Sequence, residues 1–299
     1  MNQKYKKQVA LLLAALPEVA KEDCFALYGG TAINLFVRDM PRLSVDIDLL
    51  YLPIEDRATS LAKIAASLER IKKNIQIVVH DANIRHDKDK GKLFITKDGA
   101  DIKIEVSTTG RGTLAPPVKM TLCDKAQKDF DAFALIQVVD KGQLFGGKIC
   151  AALDRQHPRD LFDVKYLLEN EGFTENIKTG FLYGLIGSDR PYHEIIRPNM
   201  LDQRETMRTK FEGMSEEPFT YEDFEATRDK LIKTIHASLT DKDRAFILGV
   251  KSLTPDWSIY DFERFPAVQW KLKHLQTLKD ADPEKHLRLY AELEKKLLQ

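Results

Sequence analysis

An apolar run from Cys24 to Tyr28 ends in Gly29-Gly30-Thr31, and a second run, Val45 to Tyr51, carries Asp46 and Asp48. The first run suits a buried strand, Ala32 to Val37 a short helix opened by Thr31, and the second run another strand. Side chains alternate faces along a strand, so Asp46 and Asp48 point the same way, one pleat apart. Two adjacent carboxylates raise each other's cost of ionisation. A divalent cation removes that penalty, and Mg²⁺ in particular takes one or two carboxylates together with substrate phosphate oxygens. The glycines let the backbone come close to a phosphate, and the N–H groups that open the next helix face it. A lone Gly-Gly is an ordinary turn and a lone Asp-x-Asp a solvated strand face. Their order here, strand, glycine pair, helix, strand with paired aspartates, is the outline of a phosphoryl-transfer site.

The rest of the chain frames that site. After Pro53, the spacing of Leu61, Ile64, Ala65, Leu68 and Ile71 predicts a helix over Glu55 to Lys73, and Ile75 to Val79 reads as a strand. Asp81 to Lys92 reads as a charged hairpin or loop, and Leu93 to Thr96 and Gly99 to Thr108 as strands. In the last of these Ile102, Ile104 and Val106 alternate with Asp101, Lys103 and Glu105. From Leu144 onward helices dominate: one opening at Gly146-Gly147-Lys148, one from Pro158, then Glu175 to Leu185, Met200 to Phe211, Tyr221 to Leu239, Asp241 to Val250, Val268 to Leu278 and Pro283 to Leu298. The expected class is α+β: a mixed-sheet domain over residues 1–143 and a mainly helical domain over 144–299.

The 299 residues carry 46 Lys and Arg against 46 Asp and Glu, so net charge supplies no global attraction to nucleic acid. Lys4, Lys6 and Lys7 before Val9 to Leu16 imitate a signal peptide. Leu11, Leu12, Ala15 and Leu16 fit an amphipathic helix better, and no small-residue cleavage site follows. Cys24, Cys123 and Cys150 sit in apolar contexts and read as reduced core thiols of a cytoplasmic protein. The seven histidines make no metal-ligand spacing, and neither a Gly-x-Ser-x-Gly elbow nor a Gly-x-Gly-x-x-Gly fingerprint is present.

Three further groups have two readings each. Glu105 is either a third metal carboxylate, as a two-metal displacement needs, or part of an exposed strand face. Lys148 is either a cation for a triphosphate or a solvated lysine; Gly146-Gly147-Lys148 is not a Walker loop. Asp160 leans toward the apolar side of its helix and needs a partner, Arg155 or Arg159, so this cluster either braces the fold or completes a nucleotide site.

Gly29-Gly30-Thr31-Ala32 through Arg42-x-Ser44-x-Asp46-Ile47-Asp48-Leu49 resembles the first motif of the DNA polymerase β-like nucleotidyltransferases. More narrowly, the chain resembles the AbiEii/AbiGii toxin nucleotidyltransferases of abortive-infection and toxin–antitoxin systems. Lys103-Ile104-Glu105 is similar to that family's second motif, with Glu where the family has Asp. Gly147-Lys148-Ile149-x-Ala151, then Arg155-x-x-x-Arg159-Asp160-Leu161-x-Asp163, is similar to its third and fourth. Pro255-Asp256-Trp257 and Phe265-Pro266-Ala267-Val268-x-Trp270-Lys271-Leu272 resemble its C-terminal segment.

The resemblance implies an NTP cosubstrate, one or two Mg²⁺ ions, a cognate antitoxin and, as in some relatives, the tRNA acceptor end as substrate. It implies that Asp46, Asp48 and Glu105 hold metal, that Lys148 meets the triphosphate, and that Gly29, Gly30, Thr31, Arg42, Ser44, Arg159 and Asp160 surround the nucleotide. Other acceptors, a small molecule or a protein, and a non-catalytic relic of the fold are the alternatives.

Overall fold

A computed structural model describes residues 1–298. The chain divides into two compact units, Met1–Asp140 with Phe211–Pro218, and Lys141–Lys210 with Phe219 onward.

The first unit opens with helix α1 (Gln3–Val19), whose first turn is capped by the Asn2 side chain accepting from the Lys4 N–H at 2.9 Å. Strand β1 (Phe25–Tyr28) leads into the short helix α2 (Gly29–Ala32), which runs on as a π-helical turn over Ile33–Val37. Strand β2 (Asp46–Tyr51) precedes α3 (Arg57–Val78), capped by Asp56. Then come β3 (Asn83–Asp87), β4 (Lys92–Lys97), β5 (Ala100–Arg111), β6 (Val118–Thr121), α4 (Asp124–Phe130) and β7 (Leu135–Val138). The seven strands form one sheet in the order β3-β4-β5-β2-β1-β7-β6. The β2/β5 and β1/β7 pairs are parallel and the others antiparallel, a mixed sheet as expected.

Alternation on β5 buries Ile102, Ile104 and Val106 and leaves Lys103 and Glu105 half-buried. Helices α1 and α3 pack on this sheet and on each other, burying Leu12, Leu16, Ile64, Leu68 and Ile71. Ile75 to Val79 is not a strand. Ile75 falls in phase with Ile64, Leu68 and Ile71 and is fully buried, so the helix continues, and Ile77 and Val78 are left exposed. The elements β6, α4 and β7 were not anticipated by periodicity.

The second unit is helical: α5 (Lys141–Arg155), α6 (Pro158–Asn170), α7 (Glu175–Ile186), α8 (Tyr192–Ile196), α9 (Arg204–Lys210), α10 (Tyr221–Ser238), α11 (Asp241–Ser252), α12 (Pro266–Ala281) and α13 (Pro283–Leu298). Pro158 occupies the first turn of α6, where its missing N–H costs nothing. Thr220 and Thr240 close capping boxes with Asp223 and Asp243. Gly146-Gly147-Lys148 lies mid-helix rather than at a helix mouth. A Cβ on Gly146 would run into the backbone of Gly180 and Phe181, so that glycine lets α5 and α7 touch backbone to backbone. The helix expected over Met200 to Phe211 shortens to α9, and Phe211 passes into the first unit. No helix among the described residues is long and apolar enough to cross a membrane, and all three cysteines are free.

Candidate active site

Three strands bring the first group of charged residues together. In the parallel β2/β5 register Asp46 faces Lys103 and Asp48 faces Glu105. In the antiparallel β4/β5 register Lys92 faces Glu105. One half-buried face therefore carries three carboxylates and two ammonium groups in adjacent rows.

The glycine turn is fitted against these aspartates. Gly29 has φ of 69°, a left-handed conformation suited to glycine, and a Cβ there would strike the Asp48 carboxylate. A Cβ on Gly30 would lie 3.0 Å from both Arg42 Nη2 and Ser44 Oγ. Thr31 is fully buried, and its hydroxyl donates to the Asp46 carbonyl at 2.5 Å and lies 3.0 Å from Ser44 Oγ. Thr31 and Ser44 thus hold the first residue of β2 in place from below. Arg42 is buried as well and donates from Nη1 to the Leu43 carbonyl at 2.9 Å. A strap from far along the chain secures this corner: the Leu43 N–H donates to the Met214 carbonyl at 2.7 Å, and Arg42 bridges to Ser215.

Glu105 is engaged on both oxygens. Lys92 Nζ lies 2.8 Å from Oε1 and Lys103 Nζ 2.6 Å from Oε2. Burial pushes the Glu105 carboxyl upward, but the hydrogen bonds from Lys103 and Lys92 outweigh it and hold the group below its ordinary value. Burial likewise opposes the charge on Lys103. Glu105 and then the fields of Asp46 and Asp48 prevail, so Lys103 is held above the usual lysine value.

The donor set fits Mg²⁺ through Asp46 and Asp48, which share a face and flank a glycine turn open to close approach. Among the described residues no three His, Cys, Asp or Glu side chains converge as a metal group, in keeping with Glu105 turning to its two lysines. The ion would take its remaining ligands from phosphate and water.

The second unit holds the other predicted residues. Lys148 is buried on α5, with Nζ 2.8 Å from Asp160 Oδ1 and 3.1 Å from Asp163 Oδ2 on α6. Arg155 adds a bidentate contact to Asp160, Nε at 2.6 Å and Nη2 at 3.1 Å. Arg155 and Lys148 are therefore the partners that the buried Asp160 needs. Burial alone would raise the Asp160 carboxyl; the Lys148 charge and the Arg155 fork reverse this and hold it far below the carboxylate range. Arg159 opens α6, its N–H capped by His157 Nδ1 at 3.1 Å.

The family model described as nucleotidyl transferase AbiEii toxin, type IV TA system, matches residues 11–274. The chain belongs to the AbiEii family. It is thus a nucleotidyltransferase toxin of a type IV toxin–antitoxin system, which implies an antitoxin partner. Among solved structures it is similar to MenT4, a nucleotidyltransferase toxin from Mycobacterium tuberculosis H37Rv, with a TM-score of 0.62 at 13% identity over 92% of this chain and 95% of that one. At that identity the likeness is one of fold. No curated protein matches the chain.

Two parts of this candidate site escaped sequence reasoning. Lys92 lies thirteen positions from Glu105 in a charged stretch, and only strand pairing joins them. The Phe211–Pro218 strap joins the first unit from beyond five helices, α5 to α9, and the apolar Phe211 and Met214, both buried, are its sequence signal.

Proposed function

We propose that this AbiEii nucleotidyltransferase transfers a nucleoside monophosphate from an NTP to the 3′-terminal hydroxyl of tRNA, in the cytoplasm, with Mg²⁺ as cofactor. The observation that carries this reading is the pair Asp46 and Asp48 on one face of β2, with the Gly29-Gly30 backbone pressed against Asp48. In the reaction the acceptor oxygen forms a bond to the α-phosphorus, the bond from that phosphorus to the bridging oxygen breaks, and pyrophosphate leaves. Bound Mg²⁺ would supply Lewis-acid stabilisation of the phosphate oxygens. Asp46 and Asp48 would hold it, and Thr31 and Ser44 keep β2 in register for that task. Lys103, steadied by Glu105, sets a positive charge beside the aspartates where triphosphate oxygens would gather. Lys148 and Asp160 act on α5 and α6 as a paired brace.

The acceptor is assigned from the family resemblance. Exposed cations available to a polyanion include Lys90 and Arg208, each beside an acidic neighbour, Asp87 and Glu205. Incubating the purified protein with each α-labelled NTP, Mg²⁺ and total RNA tests the reading. Label should enter the tRNA band, with pyrophosphate released and with loss of both signals in Asp46→Ala. Label entering protein or small metabolites instead would replace the acceptor, and no Mg²⁺-dependent pyrophosphate release with any acceptor would overturn the catalytic reading.

A further inference from the structure

The second unit contains a cavity of about 180 Å³ bounded by α8, α11, α12 and α13, and nothing in the transfer reaction uses it. Its apolar wall is Leu275, Leu278, Leu289 and Leu293. Its polar wall contains two lysines, Lys251 and Lys271, only 6% and 8% exposed. Lys271 belongs to the Phe265 to Leu272 segment that resembles the family's C-terminal motif. Its ammonium donates to the carbonyls of Ser188 at 2.6 Å and Arg190 at 2.9 Å and lies 4.9 Å from the Tyr192 ring centre, which leaves one N–H uncommitted.

Lys251 differs. Among the described residues no side chain or carbonyl partners its ammonium, although it is more than nine-tenths buried. An ammonium that faces a mostly apolar cavity with little access to water and no counter-charge is costly, and a second lysine in the same cavity raises that cost. Burial holds both lysines below the usual lysine value, Lys271 at about 8; the field of Asp189 opposes the drop at Lys271 and that of Lys251 adds to it. The acids nearby do not resolve this. Asp189 is exposed at the rim, and Glu292 is taken by His193 at 3.2 Å.

We propose that this cavity is a binding site for a small monoanionic carboxylate with an apolar body, its carboxylate on Lys251 and Lys271 and its body against the four leucines. The volume sets the size: about 150 Å³ admits a benzene ring, so the ligand has on the order of ten non-hydrogen atoms. The donors set the charge. Lys251 offers three N–H groups and Lys271 one, enough for a carboxylate, while the rim carboxylate of Asp189 opposes a dianion.

Calorimetric titration of the full chain with benzoate, 4-methylpentanoate, benzyl alcohol and inorganic phosphate tests this. Saturable binding of at least one carboxylate, with benzyl alcohol and phosphate at least about tenfold weaker, is the expected result, as for a charge-assisted contact. Lys251→Met should weaken the carboxylate at least about tenfold without loss of far-ultraviolet circular dichroism, since it removes an unpartnered buried charge. If that variant does not fold, Leu289→Trp, which fills the cavity from a half-exposed position, should abolish binding. No saturable binding by either carboxylate, phosphate or the alcohol binding as well as both, or a folded Lys251→Met or Leu289→Trp that binds like the parent would each overturn the proposal.

Discussion

Two of the clusters in which lysine meets aspartate or glutamate sit in contrasting surroundings. In the first unit Asp46, Asp48, Glu105, Lys92 and Lys103 lie on a half-buried strand face beside a glycine turn. In the second, Lys148, Asp160 and Asp163 lie between α5 and α6 with exposures of 6%, 1% and 2%. The first has one carboxylate more than it has ammonium groups and is reachable, so an incoming cation or phosphate changes its balance. In the second, Arg155 supplies the cation that balances the second carboxylate, reaching the buried Asp160 from a side chain 59% exposed, so its charges are met by their own neighbours. With the roles proposed above, charge near chemistry is kept wet and unbalanced, and charge that braces a fold is kept paired.

The largest effect that would break this comparison belongs to the aspartate pair. Asp46→Ala or Asp48→Ala should lower nucleotidyl transfer by about 10²–10³-fold or more, the scale of removing one group that stabilises developing charge. The melting temperature should hold or rise, because a like-charge contact disappears. Near-parental transfer in either variant, measured with labelled NTP, would move the chemistry elsewhere.

Asp160→Asn should do the reverse. It leaves Lys148 and Arg155 facing a neutral amide and should cost about 3 kcal/mol of stability, the range for breaking a buried ion pair. The pH dependence carries a second signature. Because the folded-state pKa of Asp160 is depressed, its stabilisation is full above the ordinary aspartate value of about 3.9 and drains away as pH falls below it. The variant should therefore lose less stability on acidification than the parent in denaturant titrations at successive pH values. A drop in transfer at unchanged stability would place Asp160 with the reacting groups instead.

Gly146→Ala sharpens the same contrast at a point without charge. Its methyl group meets the backbone of Gly180 and Phe181, and overpacking of this kind costs about 1–3 kcal/mol. The melting temperature should fall while the KM for NTP stays put. A raised KM with an unchanged melting point would restore a phosphate role to the Gly146-Gly147 pair.

The first unit was more legible than the second because its site is written in local order. Strand, glycine pair and Asp-x-Asp lie within 25 residues, and a period of two suffices to place Asp46, Asp48 and Glu105 on faces. What Glu105 does with that face depends on Lys92, two strands' pairing away. The position of Lys148 depends on Gly146 and Gly180 meeting across two helices, a tertiary cause that reads in sequence as a loop. Ile75 to Val79 misleads for a related reason: β-branched residues favour strands, but the buried stripe begun at Ile64 fixes the phase, and packing overrides propensity. The short β6 buries none of its residues, and in β7 the exposed Leu135 obscures the alternation of buried Ile136 and Val138 around Gln137.

The smallest expected effects lie on the surface. Lys90 and Lys92 look alike in sequence, yet Lys90 is exposed and 4.0 Å from Asp87, whereas Lys92 grips Glu105 at 2.8 Å. Lys90→Glu should leave NTP turnover and stability almost unchanged, since an exposed pair contributes little. If Lys90 meets an RNA phosphate, the slope of log affinity against log salt should flatten by about one, as it should for Arg208→Glu. Lys92→Glu should instead impair transfer at every salt concentration, because it sets a second carboxylate against Glu105 and frees the partner that Lys103 shares. Filter-binding curves for the three variants between low and moderate salt separate the cases. Identical curves for Lys90→Glu, Arg208→Glu and the parent would remove both residues from the acceptor surface, and an innocuous Lys92→Glu would show that the strand-face cluster is as replaceable as the solvated one.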